Sequence, residues 1–382
     1  MNRFLTISFI LFLFLFVYIG CKKPYSPPAI SVDNKFLVID GSLVNSADSP
    51  SVITLSRTVK LTDTTQSFYP ETGATVSVED SSGGDYVFFE TPNGMYKSPP
   101  LSLNSSDKYR LKITTASGDQ YASDYVQMQQ TPPIDTITWQ QQNDVSIYLN
   151  THDPSNITKY YRWDYVETWQ NRSPLESELG VENGFIYYVT DRPLDQKYNC
   201  WSTDNSTEIL IGSSVALNQD VINLAPIALV PQNSVKINIR YSILVKQYAI
   251  TEKAYQYFQI LKKNTENLGS IFDAQPTQLV GNIHSVKNPS EIVIGYFTAS
   301  SVQQKRIFID KSQVTDWNYI YPGRDCDMIT IEQNPANYLI YNYPDPDYSA
   351  YYFSGMTGLV LTRVSCVDCT LQGGANKKPS YW

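Results

Sequence analysis

Cysteine is the residue type whose spacing carries the most chemistry in this 382-residue chain. Cys21 ends an almost wholly apolar run, Phe4–Ile19, that follows a single basic residue, Arg3, and the polar, proline-rich segment Lys22–Pro28 comes next. This order is typical of a secretory signal that ends in a bacterial lipobox, in which the cysteine becomes the new N-terminus and carries acyl chains. We therefore expect residues 1–21 to be a lipoprotein signal peptide. An ordinary cleaved signal and an uncleaved membrane anchor are the alternatives.

Four further cysteines are present, Cys200, Cys326, Cys366 and Cys369. In an exported protein an even number favours two disulfides, and three pairings are possible. The spacing Cys366-x-x-Cys369 is also found in zinc and redox sites, but no second such pair occurs and the motif does not open a helix after a strand. We predict structural disulfides that tie the C-terminal tail to the body, and neither a metal nor a cofactor.

Other groups with catalytic potential are sparse. The two histidines, His152 and His284, lie in unrelated surroundings, and no hydrolase, zinc-protease or nucleotide-binding motif occurs. Glycoside hydrolysis needs only two carboxylates, and the sequence singles out no pair. Asp345-Pro346-Asp347 contains possible calcium ligands, although a solvated turn explains it better. We predict no catalytic residue.

Tyrosine is unusually frequent, with 29 residues, and the segment Tyr338–Phe353 is the richest in aromatic side chains. Such rings suit a ligand platform for glycans or peptides, and they equally suit a strand pair that buries them against a sheet. The second use is the preferred interpretation. The candidate surface consists of Tyr341, Tyr343, Tyr348, Tyr351 and Tyr352.

Charge and hydropathy exclude some functions. The formal net charge is −8, and basic residues do not cluster, which argues against nucleic-acid binding because phosphate contacts need grouped Lys and Arg. No apolar segment after the first is long enough to cross a bilayer. We therefore expect membrane contact through the N-terminal lipid alone.

The order of patterns predicts a mainly β protein. Residues 22–34 are typical of a tether. Residues 35–131 contain short alternating segments separated by turn signals, which predict an immunoglobulin-like or prealbumin-like β-sandwich. The double proline Pro132-Pro133 marks a boundary, and residues 132–382 are expected to form a larger β-rich domain.

Within the second domain, Ile134–Gln141 and Val145–Thr151 are expected to form a hairpin. Residues 169–183 show no clear period and are interpreted as a loop, whereas the alternation in Val235–Gln247 predicts one long strand. A prominent helix is predicted near residues 251–267. Thr251 would be its N-cap, and its apolar stripe would pack on a sheet.

Several segments together resemble a known family. They are Thr131-Pro132-Pro133-Ile134-Asp135, Tyr241–Tyr248 leading into the helix, Asn267–Asp273, and Cys366-x-x-Cys369 followed by Gly373-Gly374 and Trp382. The whole chain after the signal is similar to the Bacteroidota lipoproteins of domain of unknown function 4249. Members of this family are often encoded beside TonB-dependent outer-membrane receptors, so the resemblance implies an accessory lipoprotein of an uptake system, and it assigns no catalytic residues.

The expected function is therefore a lipid-anchored outer-membrane accessory or ligand-binding protein, the partner of a TonB-dependent receptor in nutrient uptake. Lys22-Lys23-Pro24 after Cys21 differs from the acidic residues common in surface-exposed lipoproteins, so the periplasmic and the cell-surface face both stay open. The alternatives are a cell-envelope polymer hydrolase with a carboxylate pair, and an adhesive or structural envelope protein.

Overall fold

Strands form most of the chain, as expected from its alternating segments. The computed structural model describes residues 36–59, 68–266, 279–321, 325–332, 339–341, 343–355 and 358–382. Residues 36–382 form one compact unit. The predicted signal, Cys21 and the predicted tether lie outside the described residues. No helix within the described ranges is long and apolar enough to cross a membrane.

The strands in the first half of the chain are β1 Leu37–Arg57, β2 Tyr69–Pro70, β3 Thr75–Asp80, β4 Asp85–Thr91, β5 Met95–Leu101, β6 Lys108–Thr114, β7 Gln120–Ser123, β8 Val126–Gln127, β9 Ile134–Gln141, β10 Val145–His152, β11 Tyr160–Arg172, β12 Leu179–Glu182 and β13 Phe185–Tyr188. Those in the second half are β14 Asn199–Asn205, β15 Leu210–Ser213, β16 Val221–Val230, β17 Arg240–Ala249, β18 Ile283–Ser285, β19 Val293–Gly295, β20 Thr298–Asp310, β21 Met328–Glu332, β22 Tyr348–Ser354 and β23 Gly358–Arg363. The helices are α1 Glu252–Thr265 and α2 Val364–Val367, with 3₁₀ turns at Val189–Asp191, Pro193–Asp195, Val235–Ile237, Lys311–Gln313 and Cys369–Gln372.

The largest sheet has fifteen strands among the described residues, and its main path runs β14-β11-β17-β20-β1-β5-β4-β3-β6-β7-β18. The first hydrophobic core lies within the β1–β8 region, where alternate residues such as Val76 and Val78 are buried. Later residues, including Phe297, return to this core. The division into domains of residues 35–131 and 132–382 stays a prediction, and the sheet is continuous across it through the pairing of β1 with β20.

A second core lies between two sheets. The small sheet β16-β10-β9 contributes Ile147 and Leu149, and the facing strands β11 and β17 contribute Trp163, Ile243 and Val245. The predicted hairpin of β9 and β10 is confirmed by their antiparallel register. This second sandwich is open on one side, since β15 pairs with β11 and β16 pairs with β10, and no pairing joins β15 to β16 in the described structure.

The predicted helix is confirmed over Glu252–Thr265. Thr251 is its N-cap, and its hydroxyl oxygen accepts a hydrogen bond from the amide of Ala254 at 3.3 Å. Ala254, Tyr257 and Phe258 form its buried stripe and pack beside β11 and β15, as expected. The predicted end at Leu268-Gly269 lies outside the described residues.

Two predictions about local structure were wrong. Val235–Ile237 is a 3₁₀ turn and the strand starts at Arg240, because Ser234 caps the turn and the turn itself buries Ile237. Residues 169–183 are not one loop, because Trp169 and Asn171 continue β11 and pair with Ser202 and Cys200 of β14.

Candidate functional site

A cleft lies on the open side of the second sandwich, between β15 and β16. Its volume is about 540 Å³, within the range of small-ligand sites. Eight consecutive residues of β16, Ile222–Leu229, line it. Successive side chains of a strand point to opposite faces, so a cavity on one face would touch alternate residues only. The cleft therefore runs along the edge of β16.

A buried carboxylate fixes the end of the cleft where residues 214–220 join β15 to β16. Asp220 is 1% exposed and accepts hydrogen bonds from the hydroxyls of Tyr161 and Ser214. Its amide donates to Oδ1 of Asn156 at 2.8 Å. Burial and the Asp220 carboxylate raise the pKa of Tyr161. Because every one of these groups has a partner, the connection is held in one conformation.

Trp163 forms the floor of the cleft and is held by a buried amide. Its Nε1 donates to Oε1 of Gln247 at 2.8 Å, and Nε2 of Gln247 donates to the carbonyl of Pro132 at 2.8 Å and to Oγ1 of Thr151 at 3.0 Å. The ring packs directly over Gly212, where a Cβ atom would overlap it. The proline segment predicted as a boundary thus takes part in supporting the site.

The C-terminal turn of α1 holds one wall. Nζ of Lys262 donates to the carbonyl of Ile209 at 2.7 Å, and the amide of Ile209 donates to Oε1 of Glu266 at 2.6 Å. Lys262 and Glu266 also form an ion pair at 3.2 Å. The segment leading into β15 is therefore fastened to the helix by both of its main-chain polar groups.

Five polar side chains in the lining have no hydrogen-bond partner within the described part of the chain: Ser146, Tyr148, Tyr165, Glu208 and Asn223. Burial, followed by the negative charges of Glu167, Glu208 and Asp204, raises the pKa of Tyr165 to about 12, so its hydroxyl stays protonated at neutral pH. These groups can donate to or accept from a ligand without first giving up a protein contact.

The lining of the cleft contains a single carboxylate. Glu208 is the one carboxylate in the lining of this cleft, so the cleft lacks the facing acid pair that glycoside hydrolysis requires. The described ranges contain no group of three or more His, Cys, Asp or Glu side chains that could hold a metal ion. The apolar floor and the few polar groups suit non-covalent capture.

The four cysteines form two disulfides, Cys200–Cys369 and Cys326–Cys366. The first joins β14 to the C-terminal segment, as predicted for the tail. Beyond it, the amides and carbonyls of Trp201 and Ala375 bond reciprocally at 2.8 and 2.9 Å. The zinc and redox interpretations of Cys366-x-x-Cys369 therefore do not hold, because each of its sulfurs is bonded to a distant cysteine.

The candidate tyrosines lie away from the cleft. Tyr341, Tyr343 and Tyr348 pack into a third, small core between the hairpin β12–β13 and the sheet β21-β23-β22. The Tyr348 hydroxyl donates to Asp327, which raises the pKa of Tyr348. Tyr351 and Tyr352 are half-buried, with their ring centroids 5.0 Å apart. The interpretation as buried rings of a strand pair thus describes Tyr341, Tyr343 and Tyr348. A role of all five tyrosines as a ligand platform stays a prediction.

His152, His284 and Asp345 each contact residues that do not line the cleft. His152 Nδ1 lies 2.8 Å from Oδ2 of Asp135, and His284 Nε2 lies 3.7 Å from Oδ1 of Asp124. Asp345 accepts from the amide of Asp347 at 3.0 Å, the geometry of a turn. A second, smaller cavity of about 100 Å³ borders the C-terminal segment beside the ion pair of Lys197 with Asp368.

A family profile described as "Domain of unknown function (DUF4249)" matches residues 22–306. The chain belongs to the DUF4249 family. The range of the DUF4249 match includes every residue that lines the cleft, and it ends before Cys326, Cys366 and Cys369. The DUF4249 match therefore supports the predicted family.

Comparisons with curated proteins and with solved structures add no information about function. No curated protein matches this DUF4249 chain. A solved structure, the adhesin InvE of Yersinia pseudotuberculosis, aligns at 12% identity with a TM-score of 0.15, covering 57% of this chain and 55% of that one. The chain thus spans about half the length of the adhesin, and a similarity this low supports no argument about fold or function.

The cleft of this DUF4249 protein was not predicted from the sequence. Most of its lining comes from residues between Glu208 and Leu229, for which no element was predicted. The ten residues of β16 carry no charge and contain Val, Ile and Leu, which is a signal for a strand. The approach of β16 to β15 follows from the pairing of distant strands and has no local signal.

Proposed function

We propose that this protein is a lipid-anchored outer-membrane accessory that captures a ligand in the cleft between β15 and β16 for a TonB-dependent receptor. The cleft carries the proposal, because it combines an apolar floor with polar side chains that have no partner among the described residues. A site of this kind holds a ligand without altering it. The anchor is inferred from Cys21 and the apolar run before it, and the receptor from the family resemblance.

The construction of the site supports a role in binding. Trp163, Gln247 and Pro132 form a fixed floor, and α1 fixes the wall through Ile209. Preorganised walls reduce the entropy lost on binding, which raises affinity. The polymer-hydrolase alternative needs a second carboxylate opposite Glu208, and the lining does not provide one.

Co-purification tests the receptor partnership. A chain tagged at the C-terminus would be isolated in mild detergent from the outer membranes of its native cells, beside the Cys21→Ala variant as a control for the anchor. We expect a stoichiometric TonB-dependent receptor with the natural chain. The variant should be absent from the outer-membrane fraction and should lose the receptor. Recovery of the natural chain without any receptor at low detergent would contradict the partnership.

A further inference from the structure

The edge of β16 that borders the cleft offers main-chain groups to a ligand. An edge strand leaves the N–H and C=O groups of every second residue outside the ladder. In the described structure β16 pairs with β10 alone, and β15 pairs with β11 alone. The cleft therefore has a strand edge on each side, which is a geometry that an extended peptide can fill.

The regular part of the β16 edge is short. Pro226 has no N–H, and the register with β10 shifts between Ile147 and Tyr148, opposite this proline. Leu224 has φ +52°, and its amide donates to Oδ1 of Asn150 at 2.8 Å. The uninterrupted section is Ala228–Val230, which pairs in register with residues 145–147. A bound peptide would therefore pair over a few residues only.

The charge of the cleft selects among peptides. Glu208 is exposed and has no partner in the described chain, whereas Lys262 is occupied by Glu266 and by the carbonyl of Ile209. The free charge at the cleft is therefore negative. A carboxylate ligand would be repelled, and a neutral or cationic one would be attracted. Leu229 is 60% exposed and Leu224 is 49% exposed, which adds apolar contact area.

We infer that the cleft binds an extended, apolar, neutral or cationic peptide segment, which adds as a strand to the Ala228–Val230 edge of β16. Its alternate side chains lie against Trp163 and Ile222 on one face, and the hydroxyls of Tyr148 and Tyr165 bond its main chain or polar side chains. The inference rests on the proposed binding role, and it names the ligand class of the same site.

Selection from a random peptide library tests the inference. The probe is a library of short displayed peptides, selected against the full chain in detergent, and the enriched sequences are then synthesised. We expect alternating apolar residues with no net negative charge. Methylation of the peptide nitrogens should weaken binding about tenfold at every second position and little at the others, because only alternate amides face β16.

Two pairs of variants control for the site. Asn223→Trp fills the cleft from an exposed position and should weaken the selected peptides about tenfold, whereas Asn205→Trp, exposed on β14 outside the cleft, should not. Glu208→Lys should reverse the preference for cationic peptides, and Asp48→Lys should leave it unchanged. Far-UV circular dichroism confirms that each variant is folded.

Three outcomes would overturn the inference: no enrichment, binding insensitive to alternate methylation, or binding unaffected by Asn223→Trp. Each concerns the isolated chain, whereas the receptor partnership is tested by co-purification from cells. A chain that co-purifies with a receptor and fails to bind peptides would thus reject the ligand class and keep the proposed function.

Discussion

The ammonium of Lys262 donates a hydrogen bond to the carbonyl oxygen of Ile209 at 2.7 Å. This contact connects the last turn of α1 to the strand that borders the cleft, and Glu266 completes it by accepting from the Ile209 amide at 2.6 Å. One helix turn thus satisfies both main-chain polar groups of a residue at the start of a strand edge. The position of this wall depends on two side chains that also pair with each other.

Removing this contact should loosen the wall locally. In Lys262→Met the carbonyl of Ile209 loses its donor and Glu266 loses its ion pair, so amide exchange in the peptide covering residues 208–213 should speed up by about tenfold. Hydrogen–deuterium exchange with mass spectrometry measures this. Lys263→Met is the matched control, because Lys263 is exposed and has no described partner. Equal exchange in the two variants would show that the contact does not hold the wall.

The floor should be intolerant of a side chain at position 212. Gly212→Ala places a Cβ against the ring of Trp163 and should destabilise the fold by about 1–3 kcal/mol, measured by urea unfolding. The penalty should shrink in a Trp163→Phe background, since the smaller ring leaves room. A double-mutant cycle gives this coupling directly. Additive effects would mean that the ring does not cause the strain.

The disulfide Cys200–Cys369 should control the C-terminal segment. It closes a loop of 169 residues, for which chain entropy gives a stabilisation of about 5 kcal/mol, against about 4 kcal/mol for the 40-residue separation of Cys326–Cys366. The paired variant Cys200→Ser with Cys369→Ser should therefore unfold at lower denaturant than Cys326→Ser with Cys366→Ser.

The tail beyond this disulfide gives a second measurement. Its last contacts include the Arg306 guanidinium, 3.7 Å from the ring centroid of Tyr381, and the Tyr381 hydroxyl, 2.9 Å from Oγ1 of Thr168. Limited proteolysis should release residues 370–382 faster in the Cys200/Cys369 variant than in the Cys326/Cys366 variant. The reverse order would contradict the assignment of the first disulfide to the tail.

Acid should lower the stability of the β1–β8 region through protonation of Glu79 on β3. The Tyr125 hydroxyl donates to Glu79 at 2.7 Å, and with Lys112 and Arg110 it lowers the pKa of Glu79 to about 2. A lowered pKa stabilises the fold above the usual value near 4.5, and that contribution disappears as the pH falls through about 2. Because the side chain is partly exposed, the change should be about 1 kcal/mol.

Glu79→Gln should remove that part of the pH dependence. The variant should be less stable than the natural chain at pH 7 and should lose less stability between pH 4.5 and pH 2. Urea unfolding across this range measures it, and Glu178→Gln is the control, since that exposed side chain has no described hydrogen bond. Parallel pH profiles for Glu79→Gln and the natural chain would contradict the assignment.

Local patterns predicted the parts of the fold that depend on local chemistry. The helix followed from the cap at Thr251 and the spacing of Ala254, Tyr257 and Phe258. The alternating pattern wrongly predicted a strand at Val235–Ile237. This segment is a 3₁₀ turn that is capped by Ser234 and buries Ile237. Strand β5 lacks a regular alternation, because Pro99 and Pro100 interrupt its pattern where it pairs irregularly with β1.

The cleft could not be predicted from the sequence, because its residues come together only through the pairing of strands that are distant in the chain. Trp163 and Gln247 are 84 residues apart, and Cys200 and Cys369 are 169 apart. The number of disulfides could be predicted from the cysteine count, whereas their pairing could not. The tyrosine cluster shows the converse case, because the preferred interpretation from the sequence, a strand pair that buries its rings, describes Tyr341, Tyr343 and Tyr348 in the small core.

The proposed role depends first on the acyl chains at Cys21, because they would hold the cleft at the outer membrane. Intact-mass spectrometry of the protein isolated from its native membrane tests this most directly. We predict a chain that begins at Cys21 and carries the added mass of several acyl groups on that residue. A chain found in solution with Cys21 unmodified, or cleaved at another residue, would contradict it.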